Sequence, residues 1–238
     1  MDTLYIVIPA YNEKENIKEV VCSWYQFILE CNEDSRMVVV NDGSKDNTLE
    51  LLHELQSEYP KLVVVDKMNG GHGSAVIAGY RYALDHGADY IFQTDSDLQT
   101  LPSEFKSFWD IREQYDAVFG YRRKRGDGLS RLIVEKIVCI LLFFFFGVKI
   151  PDANCPFRIF KADSLDEYLN YLNADYMLPN IMLTTFYSFF NRKICYLPIT
   201  FNARQKGNQS INLKRIFKIG IRSIKDFHSF RKVLRNDK

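Results

Sequence analysis

The chain has 238 residues, 47% hydrophobic and 26% charged, with a formal net charge of +1. That balance allows a sizeable core and excludes wholesale disorder, and the near-zero charge excludes polyanion binding by net charge alone. The length suits one large domain, or one domain with an appendage.

In chain order, LYIVIPA is a short apolar run with β-branched residues, ended by Pro9, and predicts a strand. NEKENIKEVVCSWYQFIL has helical spacing, with Ile17, Val20, Val21, Trp24 and Phe27 or Ile28 on one face. Asn12 is its expected N-cap, with Glu15 three residues on as in a capping box. SRMVVVND predicts a second buried strand, SKDNTLELLHELQSEY a second helix with Leu51, Leu52 and Leu55 inward, and KLVVVD a third strand. GSAVIAGYRYALDHG predicts a third helix stopped by Gly87. ADYIFQTD and YDAVFGYR follow as the fourth and fifth strands.

This alternation of helices with continuously apolar strands predicts an α/β fold, a mostly parallel central sheet with helices on both faces. Ligands of such sheets sit at the carboxyl ends of the strands, beside a topological switch point. Each strand here runs into polar residues, PAYNE, NDGS, KMNGGHG, DSDLQ and GYRR, which marks the functional edge. Five cysteines, Cys22, Cys31, Cys139, Cys155 and Cys195, without any C-x-x-C, are expected to be reduced thiols in a cytosolic compartment. The opening YIVIPAYNE lacks a basic leader and a cleavage site, so no signal peptide is expected.

In IFQTDSDLQT, Asp95, Asp97 and Gln99 alternate, so an extended backbone projects all three to one side. Two neighbouring carboxylates stay ionised beside a cation, and oxygen ligands without nearby His or Cys favour Mg²⁺ or Mn²⁺ over zinc. The plainer reading is a solvated turn that caps a helix after Pro102. In VVVNDGSKDNT, Asp42 at a strand tip can accept bonds from a nucleobase or a ribose. Asp42 or Ser44 can equally cap the helix or form the turn. NGGHGSAVIAG places glycines before a helix, where backbone can approach a diphosphate, but Val76 stands where a dinucleotide fingerprint needs its third glycine. The pattern G-x-x-x-x-G-K-[ST] is absent, which disfavours an ordinary nucleotide triphosphatase.

IVIPAYNEKENI, VVVNDGSKDNT, NGGHGSAVIAG, DSDLQTLPSEF and DAVFGYRRKRGDGLSR occur in that order. Together they resemble family 2 glycosyltransferases, and more closely the dolichyl- or polyprenyl-phosphate sugar synthase branch. The resemblance continues more loosely through DANCPFRIFKAD and LPITFNARQKGNQSINLKR. It implies a nucleotide-sugar-binding catalytic domain of the GT-A type over residues 1–210 and inverting transfer from a nucleoside diphosphate sugar. By motif match, Pro9, Tyr11 and Glu13 line the base and ribose, and Asp42 contacts the base. Asp95 lies near the ribose and diphosphate, with Ser96 and Gly73 in the same binding set, and Asp97 and Gln99 hold the metal. Ser96 stands where the branch usually has alanine, and Asn41 where many members have a first aspartate, which leaves base preference open. The resemblance thus implies a cation, Mg²⁺ or Mn²⁺, that neutralises the departing diphosphate by Lewis acidity.

A hydroxyl acceptor needs a general base. Relatives that use one place it after the fifth-strand region, which makes Asp175 in NADYMLPN the candidate, with helix capping as its alternative role. A phosphate acceptor needs cations instead, and guanidinium groups fork onto phosphate. The candidates are Arg122, Arg123, Arg131, Arg158 and Arg204, of which motif position favours Arg122 and Arg131 for the phosphate and Arg204 for catalysis. A surface salt bridge is the alternative for each.

IVCILLFFFFGV (137–148) is apolar on every side and shorter than the ~20 residues that a membrane crossing needs. It reads as a buried core helix or as a membrane-docking helix. From Arg204 onward eleven Lys or Arg face only Asp226 and Asp237. Within 211–238, Leu213, Ile216, Phe217, Gly220, Ile221, Ile224, Phe227, Phe230 and Leu234 repeat at helical spacing. They predict a basic amphipathic C-terminal helix that binds a membrane surface or packs on the domain. No nucleic-acid recognition motif is present.

The sequence therefore points to a metal-dependent glycosyltransferase, cytoplasmic and peripheral on the cytosolic face of a membrane, with polyprenyl phosphate as acceptor. A transferase acting on a sugar hydroxyl of a lipid-linked or surface glycan is the second reading, and a non-catalytic nucleotide-sugar-binding protein the third. Nucleotidyl transfer would need a glycine-rich loop that is missing after Pro9.

Overall fold

The computed structural model describes residues 2–125, 129–203 and 213–236, of which 124–125, 129–131, 213–222 and 235–236 are described by backbone alone. Strand β1 (Leu4–Ala10) is buried along its whole length because helices cover both faces of the sheet. Helix α1 (Ile17–Leu29) buries Ile17, Val20, Val21, Trp24, Tyr25 and Ile28, the face that its spacing predicts.

Its start differs from the expected one. Asn12 has φ 55°, its Oδ1 accepts the Lys45 N–H at 2.7 Å, and its own N–H donates to Ser44 Oγ at 3.0 Å. The carbonyl of Glu13 takes the N–H groups of Asn16 and Ile17 instead, so the helix starts a turn later. Asn12 fastens one strand tip to the next, and this tertiary bond outcompetes the local capping box.

Strand β2 (Arg36–Asp42), helix α2 (Thr48–Glu58), strand β3 (Leu62–Lys67), helix α3 (His72–Asp85) and strand β4 (Tyr90–Gln93) complete the first half. Leu52 and Leu55 of α2 are buried while Leu51 is half-buried, and Gly87 follows α3 with φ 78°, the left-handed stop expected there. The second half comprises α4 (Phe105–Trp109), β5 (Ala117–Arg125), α5 (Leu129–Phe146), β6 (Arg158–Lys161), α6 (Ala162–Leu169), α7 (Pro179–Phe189), β7 (Ile194–Phe201) and α8 (Leu213–Asn236).

Among the described residues the strands form one seven-stranded sheet in the order β3-β2-β1-β4-β6-β5-β7. β3, β2, β1 and β4 run parallel, β5 and β7 pair in parallel, and only β6 is antiparallel to its neighbours. The sheet is thus mostly parallel, as predicted. β6 and β7 were not among the predicted strands. β6 has four residues, too few for a period to show, and β7 carries Pro198, which an edge strand tolerates because it needs fewer ladder donors. β2 and β4 flank β1 on opposite sides, so a crevice opens where the carboxyl ends of β1 and β4 part.

Leu4, Ile6 and Ile8 face a core with Trp24, Phe92, Phe105 and Phe157, and Tyr5 and Val7 face a second with Tyr80, Phe160, Phe186 and Tyr187. Each such side chain contributes about 1.5–3 kcal/mol by leaving water, and the two layers together hold the strand tips rigid.

Helix α5 starts upstream of the apolar run that marked it and is neither wholly buried nor wholly open. Leu142 and Phe146 are buried, whereas Ile133, Ile137, Ile140 and Phe144 are exposed, Phe144 by 79%. Helix α8 lies against it. Phe227 packs its ring on Phe145 and Phe146, and Phe230 meets Tyr176 and Phe186. No helix among the described residues is long and apolar enough to cross a membrane. The five cysteines are free thiols.

Candidate functional site

The crevice at the switch point is a cavity of about 810 Å³. Its floor is the end of β1, and its walls are Asp42, the loop Asn69–Gly73 at the start of α3, the Asp95–Asp97 turn after β4, and a segment that enters α7. Pro9, Tyr11, Glu13, Asp42, Gly73, Asp95, Ser96 and Asp97 all line it.

Ser96 Oγ donates to the Pro9 carbonyl at 2.8 Å, which fastens the tips of β4 and β1 across the switch point. Glu13 is buried and accepts from Asn16 Nδ2 at 2.6 Å, and its N–H donates to Thr48 Oγ1 at 2.9 Å. Tyr11 is exposed at the rim.

Asp42 is buried, lines the cavity and already accepts three hydrogen bonds. Its carboxylate accepts the Gly70 N–H at 2.9 Å, the Gly71 N–H at 2.7 Å and Lys67 Nζ at 2.7 Å. It does not cap α2; it holds the glycine loop in place from the cavity wall. Gly73 has its own reason to be glycine. A Cβ there would lie 2.3 Å from the Tyr176 carbonyl oxygen and 2.6 Å from Met177, so the start of α3 and the chain entering α7 are in direct contact.

The turn after β4 corrects one expectation. Leu98 takes φ 58°, which ends the extended chain and breaks the alternation beyond Asp97. Asp95 and Asp97 therefore reach the cavity, but Gln99 turns away. Its Nε2 donates to the Asn202 carbonyl at 2.6 Å, and its own carbonyl accepts the Asn202 N–H at 2.8 Å. Gln99 does not line the cavity; it ties the turn to the end of β7.

The pair that remains fits a divalent ion. Asp95 Oδ1 is enclosed with no hydrogen-bond partner, an anionic atom left without a donor. His72 Nε2, at the start of α3, stands 3.7 Å from it. Among the described residues no group of three or more His, Cys, Asp or Glu forms a complete protein cage. Mg²⁺ commonly binds through one or two carboxylates and takes its other ligands from water and phosphate, and an imidazole nearby also suits Mn²⁺. His72 escaped the sequence reading because the only signal was its place inside a glycine-rich loop.

The expected acceptor cations are placed differently. Arg122 is buried and forks onto Asp152, with Nε at 2.7 Å and Nη2 at 2.8 Å, and Glu135 stands 3.7 Å away. Burial pulls its pKa down, and the bonds to Asp152 more than reverse this, so the guanidinium stays charged and committed. Arg158 is also buried, bonded to Cys155 O, Asn180 O and Thr184 Oγ1, and burial lowers its pKa. Neither lines the cavity, whereas Arg123 is exposed. The Arg131 side chain and Arg204 lie outside the described residues. Asp175 is exposed and outside the cavity wall, and since Leu178 is the N-cap of α7, it does not cap that helix.

Comparison with known proteins bears on these features. Relatives include the undecaprenyl-phosphate 4-deoxy-4-formamido-L-arabinose transferase of Pectobacterium carotovorum subsp. carotovorum (strain PC1), 25% identical over 217 residues, which cover 90% of this chain and 64% of that protein. The protein of the same description from Pseudomonas savastanoi pv. phaseolicola (strain 1448A / Race 6) is 30% identical over 167 residues, 69% of this chain and 49% of the relative. The chain thus spans less than two thirds of the length of these curated relatives. Among solved structures, glucosyl-3-phosphoglycerate synthase from Mycobacterium tuberculosis with Mn²⁺ and uridine-diphosphate-glucose superposes with a TM-score of 0.67 at 16% identity, covering 96% of this chain and 79% of that one. S. aureus TarS 1-349 with UDP-GlcNAc gives a TM-score of 0.60 at 17% identity, covering 96% and 69%. These likenesses identify the architecture as the GT-A fold. The model of Glycosyl transferase family 2 matches residues 5–169, well over half of the sequence, and the chain belongs to that family.

Proposed function

We propose that this chain is an inverting, metal-dependent glycosyltransferase that moves a sugar from a nucleoside diphosphate donor to polyprenyl phosphate at the cytosolic face of a membrane. One observation carries the reading. At the switch point two carboxylates, Asp95 with its unpartnered oxygen and Asp97, face the first turn of α3 across the cavity. A diphosphate fits between them, because free N–H groups and the helix dipole favour anions at a helix start. Asp95 and Asp97 would hold a divalent ion, which would supply Lewis acidity to the leaving diphosphate. Asp42 shapes the glycine loop that faces it, and Tyr11 and Glu13 close the nucleoside end.

An acceptor oxygen attacks the anomeric carbon from the side opposite the diphosphate. The new C–O bond forms as the bond to the β-phosphate oxygen breaks, the electron pair leaves with the nucleoside diphosphate, and the configuration inverts. A phosphate acceptor is already anionic and has no proton to lose, which accords with the position of Asp175 outside the cavity wall. The relatives support the acceptor class, being described as undecaprenyl-phosphate sugar transferases, and the solved neighbours support a UDP-sugar donor with Mn²⁺. The exposed face of α5, with the cations Lys136, Lys225 and Lys232 exposed on α5 and α8, supports peripheral docking. Each cation near anionic lipid adds roughly 1 kcal/mol.

Calorimetry of uridine and guanosine diphosphate sugars with Mn²⁺, followed by transfer of labelled sugar to polyprenyl phosphate or polyprenol in vesicles, tests this. The expected result is donor binding and labelling of the phosphate alone. Labelling of a glycan hydroxyl that Asp175→Asn abolishes would favour the hydroxyl-acceptor reading. Donor binding without turnover would leave a binding protein, and no donor binding would end the proposal.

A further inference from the structure

One wall of the cavity has no part in the nucleotide and metal placement proposed above. It consists of Asn154, in the loop before β6, and Met177, Leu178, Pro179 and Asn180, which lead into α7. None of these side chains carries a charge. Asn180 is 2% exposed, and its Oδ1 is enclosed without a hydrogen-bond partner. An acceptor taken from water and given nothing in return costs free energy, and at a cavity wall a ligand hydroxyl is what restores it.

The backbone of Asn180, by contrast, is firmly held. Its carbonyl accepts Arg158 Nη1 at 2.9 Å and Thr184 Oγ1 at 2.8 Å. Arg158 is 1% exposed and sits on β6 opposite Gln93, with its Nε on the Cys155 carbonyl at 2.9 Å. No carboxylate pairs with it among the described residues. This guanidinium thus serves as a rigid bracket between the Cys155 loop and the start of α7. The wall is also next to the diphosphate end. Gly73, in the first turn of α3, touches Tyr176 and Met177 with no room for a methyl group. A sugar attached to a diphosphate at α3 therefore falls against Asn180.

Resting on the glycosyltransferase reading, we infer that Asn180, with Asn154 beside it, recognises hydroxyls of the transferred sugar, and that this sugar is neutral. Asn180 offers one acceptor and two donors, which match the hydroxyls of a hexose, a deoxyhexose or an N-acylated sugar. Met177 and Leu178 face its C–H side. A uronate would meet no cation on this wall. Arg158 is a positioning residue that acts through the Asn180 backbone.

The test is calorimetric, on the full chain with Mn²⁺, using UDP, GDP, UDP-glucose, UDP-N-acetylglucosamine, GDP-mannose and UDP-glucuronate. For the donor that the wild-type chain prefers, Asn180→Ala should weaken binding about tenfold, while the affinity for the matching nucleoside diphosphate stays within about twofold. Asn154 is exposed, so Asn154→Ala should leave stability close to that of the parent; it should show the same selective loss at roughly threefold and decides the matter if Asn180→Ala fails to fold. Arg158→Lys should narrow the gap between the sugar conjugate and the bare nucleoside diphosphate without altering the latter. Equal losses for both ligands, no loss for either, or a wild-type preference for UDP-glucuronate overturns the inference. If the wild-type chain binds no nucleoside diphosphate and no conjugate, the glycosyltransferase reading fails first and takes this one with it.

Discussion

The two halves of the sheet treat charge in opposite ways. Where β1 and β4 end, carboxylates stand at the cavity, and the enclosed Oδ1 of Asp95 accepts no hydrogen bond, with His72 Nε2 3.7 Å away. Around β5 and β6, two of the arginines considered for a phosphate acceptor are already engaged, Arg122 on Asp152 and Arg158 on carbonyl oxygens. On the proposed reading, a ligand supplies the bond that Asp95 Oδ1 lacks, whereas Asp42 is already paired with Lys67. In the second half Arg122 and Arg158 are bonded within the fold and thereby hold its walls in position. An ionisable residue beside a cavity is available for chemistry only when nothing in the fold has claimed it first.

The sharpest way to break this comparison is Asp97→Ala. It should lower transfer by about 10³-fold, the scale of losing a key electrostatic contact to the leaving group, with urea unfolding unchanged. Turnover that survives would show that the carboxylates at the cavity are not the reacting half. Asp152→Ala should have the reverse profile. It leaves the Arg122 guanidinium with only the more distant Glu135 and should cost about 3 kcal/mol of stability, read from the urea midpoint. A variant of full stability with altered acceptor affinity would mean that Arg122 is held in reserve for a ligand.

Gly73→Ala sharpens the comparison at the seam between the halves. The added methyl group meets the Tyr176 carbonyl at 2.3 Å and should cost about 1–3 kcal/mol as overpacking, with weaker donor binding from the displaced wall. The smallest effect on stability is expected from Phe144→Ser on the open face of α5, within about 0.5 kcal/mol of the parent. The same change should nonetheless reduce pelleting with anionic vesicles about tenfold, since it removes the insertion of one large apolar side chain. Unchanged pelleting would direct attention to a protein partner for that face.

Much of the first half was legible in advance. Apolar runs, helical spacing and polar strand tips are local properties, so β1 to β4 and α1 to α3 could be placed from the residues alone. Asp42, Asp95 and Asp97 could be assigned to the cavity because a strand tip is where a parallel sheet opens. What failed were statements about partners. Asn12 reads as a helix cap from its neighbours, yet it bonds to the next loop. Gln99 shares a period with Asp97, but Leu98 turns the chain and Asn202 takes the amide. β6 and β7 were too short or too interrupted to announce themselves, and both owe their pairing to strands distant in sequence.

The sequence by itself determined an α/β sheet with a polar edge and the resemblance to family 2 glycosyltransferases, because side-chain period and turn chemistry act over a few residues. Only the tertiary structure decided which charged groups are open. Asp152 lies 30 positions from Arg122, and Asn202 lies 103 from Gln99. Pairings over such spans depend on how the whole chain packs, and burial makes them strong enough to settle what each residue is left free to do.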